Sequence, residues 1–402
     1  MAGGYPTYVT RLTAIEHIQA LREDLIDSLP TERVAPGTGI RHRTVAEPIV
    51  AATDRPAYDR AMMDGYAVDA NAEYPVSVTE AVYPEDEPPE VSAEAAVEIT
   101  TGAPLPATAN AVIRSEEAEI EDGRLRGPSV EPGEYAYRQG SNVTEGQKLY
   151  EPGDRLAARD AVLLDDLDID AVPVYRSFKV GVLATGTEIA ENPRKDRDSN
   201  MLLELFDSWG ANATYEGAVP DDPAIVEETI RTMESEYDVV VTTGGTSRGA
   251  KDYVLEALET LGSIQFHGVQ FRPGKSLGVA SLDSAVAFAI PGKPFAAYTI
   301  TAFLLRPFFT GESRLPTLEG QSMVDVGVPN PDFTYAIPAT ISSGEVVPLG
   351  HEASDLSIYG NVFKSSALSA VTRVARADGA LLASEPIAAG EQVTMVPYDS
   401  LE

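Results

Sequence analysis

The pattern of hydrophobic and polar positions divides the chain into stretches of different periodicity. Near the N-terminus, hydrophobic residues repeat at the spacing of an amphipathic helix that ends by Pro30: Ile15, Ile18, Leu21, Leu25 and Leu29. Thr13 and Glu16 form a capping-box pattern, which predicts the start of this helix. Between residues 34 and 175 the pattern changes to short alternating runs that proline and glycine interrupt. This second stretch is typical of β-rich modules.

Strand and helix patterns alternate over residues 178–307. The runs FKVGVLAT, NATYEGAV, DVVVTT, SIQFHGVQF and AVAFAI predict strands, and SNMLLELFDSWG, DDPAIVEETIRTM and KDYVLEALETLG predict helices. Asp222 is a plausible N-cap with Pro223 at the first helical position, and a further helix begins near Pro294. Such alternation predicts a parallel sheet covered by helices. After residue 315, valine and threonine alternation predicts a small C-terminal barrel or sandwich.

Composition limits the classes of partner and chemistry. Among 402 residues, 63 acidic side chains exceed 30 basic ones and give a formal net charge of -33. This surface repels nucleic acid and anionic membranes, and we interpret it as solvation in the salt-rich cytoplasm of a halophile. The chain contains no cysteine, so disulfides and thiolate chemistry are excluded. Neither a bilayer-spanning stretch nor a signal peptide is recognisable, so we expect a cytoplasmic protein.

Three of the predicted strands end in glycine-containing turns, within LATGTE, VTTGGTS and AFAIPGKP. If the strands are parallel, these turns share one edge of the sheet, where α/β proteins bind ligands. Glycine permits close backbone approach, so we expect a phosphate or oxyanion site there. The candidate binding residues are Thr185, Gly186, Gly244, Gly245, Thr246, Ser247, Pro291, Gly292 and Pro294.

Charged residues near these turns add to the hypothesis of an anion site. A fourth turn, FRPGKS, supplies Arg272 and Lys275, which can attract an oxyanion. Glu188 and Asp252 are candidate ligands for Mg²⁺, which prefers one or two carboxylates together with substrate oxygens. Neither a P-loop nor a dinucleotide fingerprint is present. The residues alone therefore predict an enzyme that handles a phosphate or oxyanion with Mg²⁺.

Several motifs together resemble the molybdopterin molybdenumtransferases, the molybdate-inserting family related to the E domain of gephyrin. DRPAYDRAMMDGYAV resembles the family signature, and EITTGAPLP followed by NAVIRSEE resembles its TGAP segment. LATGTEI, the SN pair before a helix, DVVVTTGGTSRGAKD, FRPGKS and IPGKP then follow in the family's order. The resemblance covers the chain from the opening helix to the C-terminal region.

The resemblance implies a multidomain α/β plus β protein: a central α/β/α molybdopterin-binding domain with a parallel-rich sheet, β-rich N-terminal domains and a C-terminal barrel-like β domain. We place an N-terminal hinge domain at residues 1–45 and 145–176, an inserted β-rich domain at 46–144, the α/β/α domain at 177–315 and the C-terminal domain at 316–402. Family members are homodimers. They insert molybdate into adenylylated molybdopterin with Mg²⁺ and release AMP.

Carried onto this sequence, the resemblance assigns catalytic positions to Asp64, Thr101, Glu188, Asp222 and Asp252, with Asp221 an equally good alignment for Asp222. Pro291 and Pro294 match family positions in the binding site, and Lys275 matches the family's PGK lysine. Asp64 is expected to come from the partner subunit.

Some residues depart from the family pattern. Arg248 and Ala250 replace a small apolar residue and an acid in the glycine turn, and Lys293 replaces an amide in IPGKP. Segment 140–148 lacks the arginine and the acid that often follow the family's QNVR pattern. Two alternatives therefore stay open: a molybdopterin adenylyltransferase, and a non-catalytic cofactor-binding paralogue. Whether molybdate or tungstate is the natural oxyanion also stays open.

Overall fold

The computed structural model describes residues 8–37, 39–192, 196–245 and 253–402. Short and medium helices are distributed along this part of the chain. The helices are α1 (Arg11–Ile26), α2 (Asp160–Asp166), α3 (Thr187–Ala190), α4 (Ser199–Ser208), α5 (Pro223–Glu236), α6 (Tyr253–Leu261), α7 (Pro294–Ile300), α8 (Arg306–Thr310) and α9 (Ser365–Leu368). In the described residues, no helix is both long and apolar enough to cross a bilayer.

The strands form two groups along the chain. Those before the α/β stretch are β1 (Thr31–Val34), β2 (Ile49–Val50), β3 (Arg60–Ala61), β4 (Gly65–Val68), β5 (Val76–Val82), β6 (Ala95–Ile99), β7 (Ala111–Arg114), β8 (Glu119–Glu121), β9 (Arg124–Arg126), β10 (Ala136–Tyr137), β11 (Lys148–Tyr150) and β12 (Val172–Tyr175). The strands from residue 179 onward are β13 (Lys179–Thr185), β14 (Asn212–Val219), β15 (Val239–Thr243), β16 (Gly262–His267), β17 (Phe271–Arg272), β18 (Gly278–Leu282), β19 (Val286–Ile290), β20 (Leu318–Ser322), β21 (Thr334–Ser342), β22 (Glu345–Pro348), β23 (Gly379–Ala383) and β24 (Gln392–Pro397).

The described residues fall into two compact units. The first lies within Met1–Glu32, Arg41–Arg43 and Tyr175–Glu402, and the second within Arg33–Ile40 and Thr44–Val174. The four domain boundaries predicted from the sequence stay a prediction, because this division distinguishes only two units.

The α/β sheet of the first unit has the strand order β14-β13-β15-β19-β18-β16 among the described residues. β14, β13, β15 and β19 are parallel neighbours, which confirms a sheet rich in parallel strands. Every residue of β15 and β19 is buried, as expected for strands that helices cover on both faces.

Two strands of this sheet are antiparallel to their neighbours, so the sheet is rich in parallel strands but not entirely parallel. β18 is antiparallel to β19, and β16 is antiparallel to β18. Residues 283–285, which join β18 to β19, are too few for the crossover that a parallel pair requires, so the chain makes a hairpin.

The run SIQFHGVQF does not form one strand, contrary to the sequence prediction. Gly268, at φ 104°, interrupts the run after β16. β17 then leaves the α/β sheet and pairs with β21 in a different sheet. His267 is buried at the end of β16.

The C-terminal part of the first unit is a small closed barrel. β21 pairs with β22, β22 with β20, β20 with β24, β24 with β23, and β23 again with β21. This closed ring confirms the predicted C-terminal barrel. Its inward side chains join the same hydrophobic core as the strands of the α/β sheet.

The opening helix begins earlier than the capping-box pattern predicts. Thr10 is the N-cap of α1, and its hydroxyl oxygen accepts a hydrogen bond from the backbone N–H of Thr13 at 3.2 Å. Thr13 therefore lies in the first turn, so the prediction of a cap at Thr13 is wrong. Ile15 and Ile18 face the core, which confirms the amphipathic character of the helix.

The second unit is mostly β-structure, as predicted. Its main sheet has the order β7-β4-β6-β5-β9-β8 among the described residues, and only β5 and β6 within it are a parallel pair. This unit also contains two antiparallel pairs, β10 with β3 and β11 with β2, and the helix α2. β1 pairs with β12 in a further two-stranded sheet. Several small apolar clusters, not one large core, hold this unit together.

Candidate functional site

The three glycine-containing turns emerge side by side from one edge of the α/β sheet. Ala184 on β13 pairs with Thr243 on β15, and Thr243 pairs with Ile290 on β19. Because these strands are parallel, their carboxyl ends meet at the same edge. The turns that begin after these residues are therefore neighbours, as the sequence predicts.

The glycines of these turns are closely packed against the rest of the protein. A Cβ atom on Gly244 would lie 2.5 Å from the carbonyl oxygen of Thr185, and one on Gly292 would lie 2.9 Å from the Cα atom of Gly244. At Gly245 a Cβ atom would lie 2.9 Å from the side chain of Val254. Side chains are excluded from all three positions. The turns therefore pack closely against one another, and glycine at these positions leaves only backbone atoms for a ligand to meet.

Threonine hydroxyls lie beneath this backbone surface. Thr185 is buried, and its hydroxyl donates to the carbonyl oxygen of Thr243 at 3.2 Å. The hydroxyl of Thr243 donates in turn to the carboxylate of Asp198 at 2.5 Å. The first hydrogen bond fixes the end of β13 to that of β15, and the second fixes the end of β15 to the start of α4.

Asp198 is a residue of this edge that the sequence interpretation missed. It precedes the SN pair at the start of α4 and is 4% exposed. Burial raises the pKa of its carboxyl group, and the negative charge of Asp196 raises it further, whereas the hydrogen bond from Thr243 lowers it. Because the chain contains so many acidic residues, the sequence pattern did not distinguish a buried carboxylate from the solvated ones.

A second carboxylate, Asp196, lies next to this network. Burial alone would raise its pKa, but hydrogen bonds from the side chains of Ser199 and Tyr215 and from the backbone of Ser199 and Asp198 together lower it. Burial, followed by the contact with Asp196, raises the pKa of Tyr215 to about 12. Two carboxyl groups therefore lie beside the glycine turns: that of Asp198, whose pKa is raised, and that of Asp196, whose pKa is lowered.

Glu188 lies in the first turn of α3, immediately after the turn at Gly186. Gly186 has φ 141°, and a Cβ atom there would lie 3.1 Å from a carboxylate oxygen of Glu188. The side chain of Glu188 is exposed. Its carboxylate therefore folds back over Gly186 and remains open to solvent.

Asp221 and Asp222 have different surroundings. The Asp222 carboxylate caps α5 by accepting hydrogen bonds from the N–H groups of Ala224 at 3.0 Å and Ile225 at 3.1 Å. Asp221 instead accepts hydrogen bonds from the N–H group of Thr187 at 3.2 Å and from its hydroxyl at 3.4 Å. Asp221 is therefore attached to the turn that carries Glu188, whereas Asp222 stabilises a helix start.

The FRPGKS turn joins β16 to β18 and emerges from the same edge, because His267 and Gly278 pair at the ends of these strands. The guanidinium carbon of Arg272 lies 4.4 Å from the centre of the Phe333 ring. The ammonium group of Lys275 is 5.9 Å from the centre of the Tyr8 ring. Aromatic rings thus position both cations.

The IPGKP turn exposes its central residues. Gly292 and Lys293 are exposed, and Pro291 and Pro294 are half-buried on either side. Pro294 occupies the first turn of α7, where its missing N–H group costs no hydrogen bond.

Asp64 and Thr101, both predicted from the resemblance, contact each other in the second unit. The carboxylate of Asp64 accepts hydrogen bonds from the backbone N–H of Thr101 at 2.7 Å and from its hydroxyl at 2.8 Å. These bonds, the backbone one first, hold the pKa of Asp64 below its ordinary value. Asp64 is exposed as a carboxylate in a fixed position.

Some of the predicted site residues lie outside the described residues. They are Thr246, Ser247 and Asp252, together with the divergent Arg248 and Ala250. Within the described part of the chain, no group of three or more histidine, aspartate or glutamate side chains is arranged to hold a metal ion. Of the two predicted Mg²⁺ ligands, only Glu188 can be placed, and an exposed carboxylate fits a Mg²⁺ ion that takes its other oxygens from substrate and water.

Two family models match the chain. Residues 12–167 match the model described as "MoeA N-terminal region (domain I and II)". Residues 181–311 match the model described as "Probable molybdopterin binding domain". The second match contains the three glycine turns and the FRPGKS turn.

Several known proteins with similar sequences are described as molybdopterin molybdenumtransferases. The molybdopterin molybdenumtransferase of Haemophilus influenzae is 31% identical over 66% of this chain and 69% of its own length. That of Synechococcus elongatus is 30% identical over 66% of this chain and 72% of its own length. A crystal structure of the molybdopterin biosynthesis moeA protein from Pyrococcus horikoshii superimposes with a TM-score of 0.74 at 27% identity, covering 97% of this chain and 99% of that one.

Proposed function

We propose that this chain, which belongs to the molybdopterin molybdenumtransferase family, inserts molybdate into adenylylated molybdopterin and releases AMP. The observation that carries the proposal is the backbone surface at which Gly244, Gly292 and Thr185 meet. Such a surface suits the terminal phosphate of the pterin, because small residues admit the phosphate to within hydrogen-bonding distance of backbone.

The proposed roles follow from the position of each group. Gly244 and Gly245, with Thr246 and Ser247 beyond the described residues, bind the phosphate. Gly186, Pro291, Gly292 and Pro294 complete the walls of this binding surface. Thr185 stabilises this binding surface indirectly, because its hydroxyl donates a hydrogen bond to the Thr243 carbonyl oxygen.

The resemblance gives one catalytic position to either Asp222 or Asp221, and we assign this position to Asp221. The cap of α5 uses one carboxylate oxygen of Asp222, whereas Asp221 is bonded to the turn that bears Glu188. Asp221 and Glu188 thus place negative charge on the same turn, beside the phosphate surface.

Arg272 and Lys275 are the proposed molybdate residues. Molybdate carries two negative charges and must enter a protein whose net charge is -33, so local cations are required to attract it. The Nε–H group of Arg272 is buried without a hydrogen-bond partner among the described residues, which leaves a donor for an oxyanion.

Mg²⁺ is part of the proposal, with Glu188 and Asp252 as its protein ligands. When bound, it would neutralise negative charge on the phosphate oxygens. Asp64, held by Thr101, is proposed to act from the partner subunit of a homodimer in the cytoplasm.

One incubation separates this function from its alternatives. Purified protein is mixed with adenylylated molybdopterin, Mg²⁺ and molybdate, and AMP release and active cofactor are followed. We expect both products to form. Adenylylation of molybdopterin from ATP would instead indicate the adenylyltransferase, and tight binding without AMP would indicate a non-catalytic paralogue.

Lys275→Ala tests the anion role separately. The variant is expected to require more molybdate for half-maximal cofactor formation, by roughly ten-fold for one lost charge contact. Lys293→Ala, which removes an exposed lysine from the neighbouring turn, shows how much of this change any nearby positive charge explains. An unchanged half-saturation in the Lys275→Ala variant would exclude the proposed role.

A further inference from the structure

Arg60 belongs to β3, the short strand of the second unit that leads to Asp64. β3 pairs with β10 on one side. On its other side lies the TGAP turn, residues 101–104, because the N–H group of Ala61 donates to the carbonyl oxygen of Ala103 at 2.9 Å. The turn that carries Thr101 is therefore attached to the strand that carries Arg60.

Gly102, the second residue of this turn, is bonded to β3 through both of its backbone polar groups. Its N–H group donates to the carbonyl oxygen of Ala61 at 2.8 Å, and its carbonyl oxygen accepts from Nη1 of Arg60 at 2.6 Å. Gly102 has φ 86°, and a Cβ atom there would meet only Pro84, at 3.7 Å. Because a glycine backbone is intrinsically flexible, these two hydrogen bonds are what fix the conformation of the turn.

The side chain of Arg60 is used to hold backbone. Besides Gly102, its Nη1 donates to the carbonyl oxygen of Pro84, in the loop after β5, at 3.3 Å. Within the described residues, its hydrogen bonds go to these carbonyl oxygens and not to a carboxylate, although the chain has 63 acidic residues. A charged donor forms a hydrogen bond roughly twice as strong as a neutral one. Arg60 therefore joins β3, the TGAP turn and the loop after β5 at one point.

The TGAP turn in its turn orients the side chain of Asp64. Thr101, next to Gly102, donates from its N–H group and from its hydroxyl to the same carboxylate oxygen, Oδ1, at 2.7 and 2.8 Å. The backbone of Asp64 is held separately, because its carbonyl oxygen accepts from the N–H group of Ser115 at 3.0 Å. The Asp64 side chain is exposed, so its other oxygen, Oδ2, is open to a ligand. The direction of Oδ2 depends on where the two Thr101 donors lie.

We propose that Arg60 is a positioning residue for Asp64: by holding Gly102, it places the two Thr101 donors and so directs the carboxylate towards the substrate. This inference rests on the proposed function, in which Asp64 acts on the substrate. Arg60 acts through Thr101 and not through its own charge, because the lowering of the Asp64 pKa comes from the two hydrogen bonds of Thr101.

Arg60→Met tests the proposal, because methionine keeps much of the side-chain length and removes the guanidinium group. We expect the rate of AMP release at saturating substrate to fall roughly ten-fold or more, since a displaced reacting group lowers the rate steeply. The half-saturation for molybdate should not change, because Arg272 and Lys275 are unaltered. NMR titration should show the pKa of the Asp64 carboxyl group moved upward, towards its ordinary value. Arg124→Met, which changes an exposed arginine on β9, is the matched control and should alter none of these quantities.

Arg60→Lys guards against loss of fold. A lysine ammonium group can donate to the Gly102 carbonyl oxygen, so this variant should keep part of the AMP release and show an intermediate Asp64 pKa. A thermal melt reports whether each variant is folded. A folded variant at residue 60 whose Asp64 pKa and AMP release equal those of Arg124→Met would overturn the proposal.

The two measurements also separate this inference from the proposed function. The titration of Asp64 needs no substrate, so it tests the contact between Arg60 and the TGAP turn whether or not AMP is released. Absence of AMP release by the unmodified protein would overturn the proposed function. An Asp64 pKa that Arg60→Met leaves unchanged would overturn the positioning role alone.

Discussion

Asp64 and Thr101 form a two-bond contact whose strength is measurable through a pKa. The backbone N–H of Thr101 is the larger cause of the lowered pKa of Asp64, and the hydroxyl is the second. We expect Thr101→Val to raise the pKa of Asp64 part of the way, because valine keeps the N–H group and loses the hydroxyl. NMR titration of the Asp64 carboxyl group measures the change.

Thr100 provides a matched control, since its hydroxyl contacts the Val82 carbonyl oxygen and not Asp64. An equal pKa change in Thr100→Val would contradict the assignment.

The lowered pKa of Asp64 also predicts how the stability of the folded protein depends on pH. A lowered carboxyl pKa stabilises the folded protein above the pKa of the unfolded chain, and this stabilisation is lost as pH falls through the folded value. The Thr101→Val deficit should therefore vanish in acid.

Neighbouring aspartates on the loop before α5 should separate stability from activity. Asp222→Ala removes the helix cap and is expected to lower the free energy of unfolding by about 1 kcal/mol. Asp222→Asn should retain most of the stability that Asp222→Ala loses, because asparagine also caps helices. Asp221→Asn should leave the unfolding free energy nearly unchanged and reduce AMP release. Denaturant unfolding and the AMP assay on all three variants decide this; a stable, fully active Asp221→Asn variant would contradict the assignment.

At the scale of elements, the proposed phosphate site depends on the close contact between three turns at the ends of strands. Gly244→Ala would place a Cβ atom 2.5 Å from the Thr185 carbonyl oxygen at a residue with φ 95°. Gly217 on β14 is a suitable comparison, because its φ is 89° and a Cβ atom there meets nothing within 4 Å. Gly217→Ala should show only the backbone strain of roughly 1–2 kcal/mol.

Gly244→Ala should show this strain together with the steric contact, and should also lose affinity for the substrate phosphate. Unfolding free energies and binding of the adenylylated substrate are the measurements. Similar binding by the two alanine variants would show that the contact at Gly244 does not shape the site.

Local patterns predicted much of this arrangement. Strand runs such as DVVVTT are buried on both faces, and the cap at Asp222 with Pro223 follows directly from residue chemistry. The hairpin of β18 and β19 was missed because the run that forms β18 was not identified as a strand. The transfer of β17 to the barrel could not be read from periodicity, because it depends on which distant strand offers a free edge. The buried Asp198 was missed for the same reason, since burial is set by tertiary packing.

For the whole molecule, the net charge of -33 predicts a strong dependence of stability on salt. Repulsion among 63 acidic side chains disfavours the compact state, and added salt screens it within a Debye length of about 10 Å at 0.1 M. We expect the melting temperature to rise as potassium chloride increases towards molar concentrations. A melting temperature that does not change with salt would contradict this interpretation of the acidic surface.

The proposed homodimer has a test at the same scale. If Asp64 acts from the partner subunit, Asp64→Asn and Glu188→Gln proteins should each be nearly inactive but regain activity when mixed. Random exchange of equal amounts gives half heterodimers with one intact site each, so about one quarter of normal activity is expected. A mixture as inactive as its components would contradict a shared site.

The most direct test of the central claim measures AMP and protein-dependent molybdenum incorporation in one reaction. Adenylylated molybdopterin is incubated with the purified protein and Mg²⁺, molybdate is then added, and both products are quantified over time. The account predicts that AMP and molybdenum cofactor appear together in about equal amounts after molybdate is added. AMP release that does not depend on molybdate and yields no cofactor would contradict this claim. Substrate that binds but releases no AMP would also contradict it.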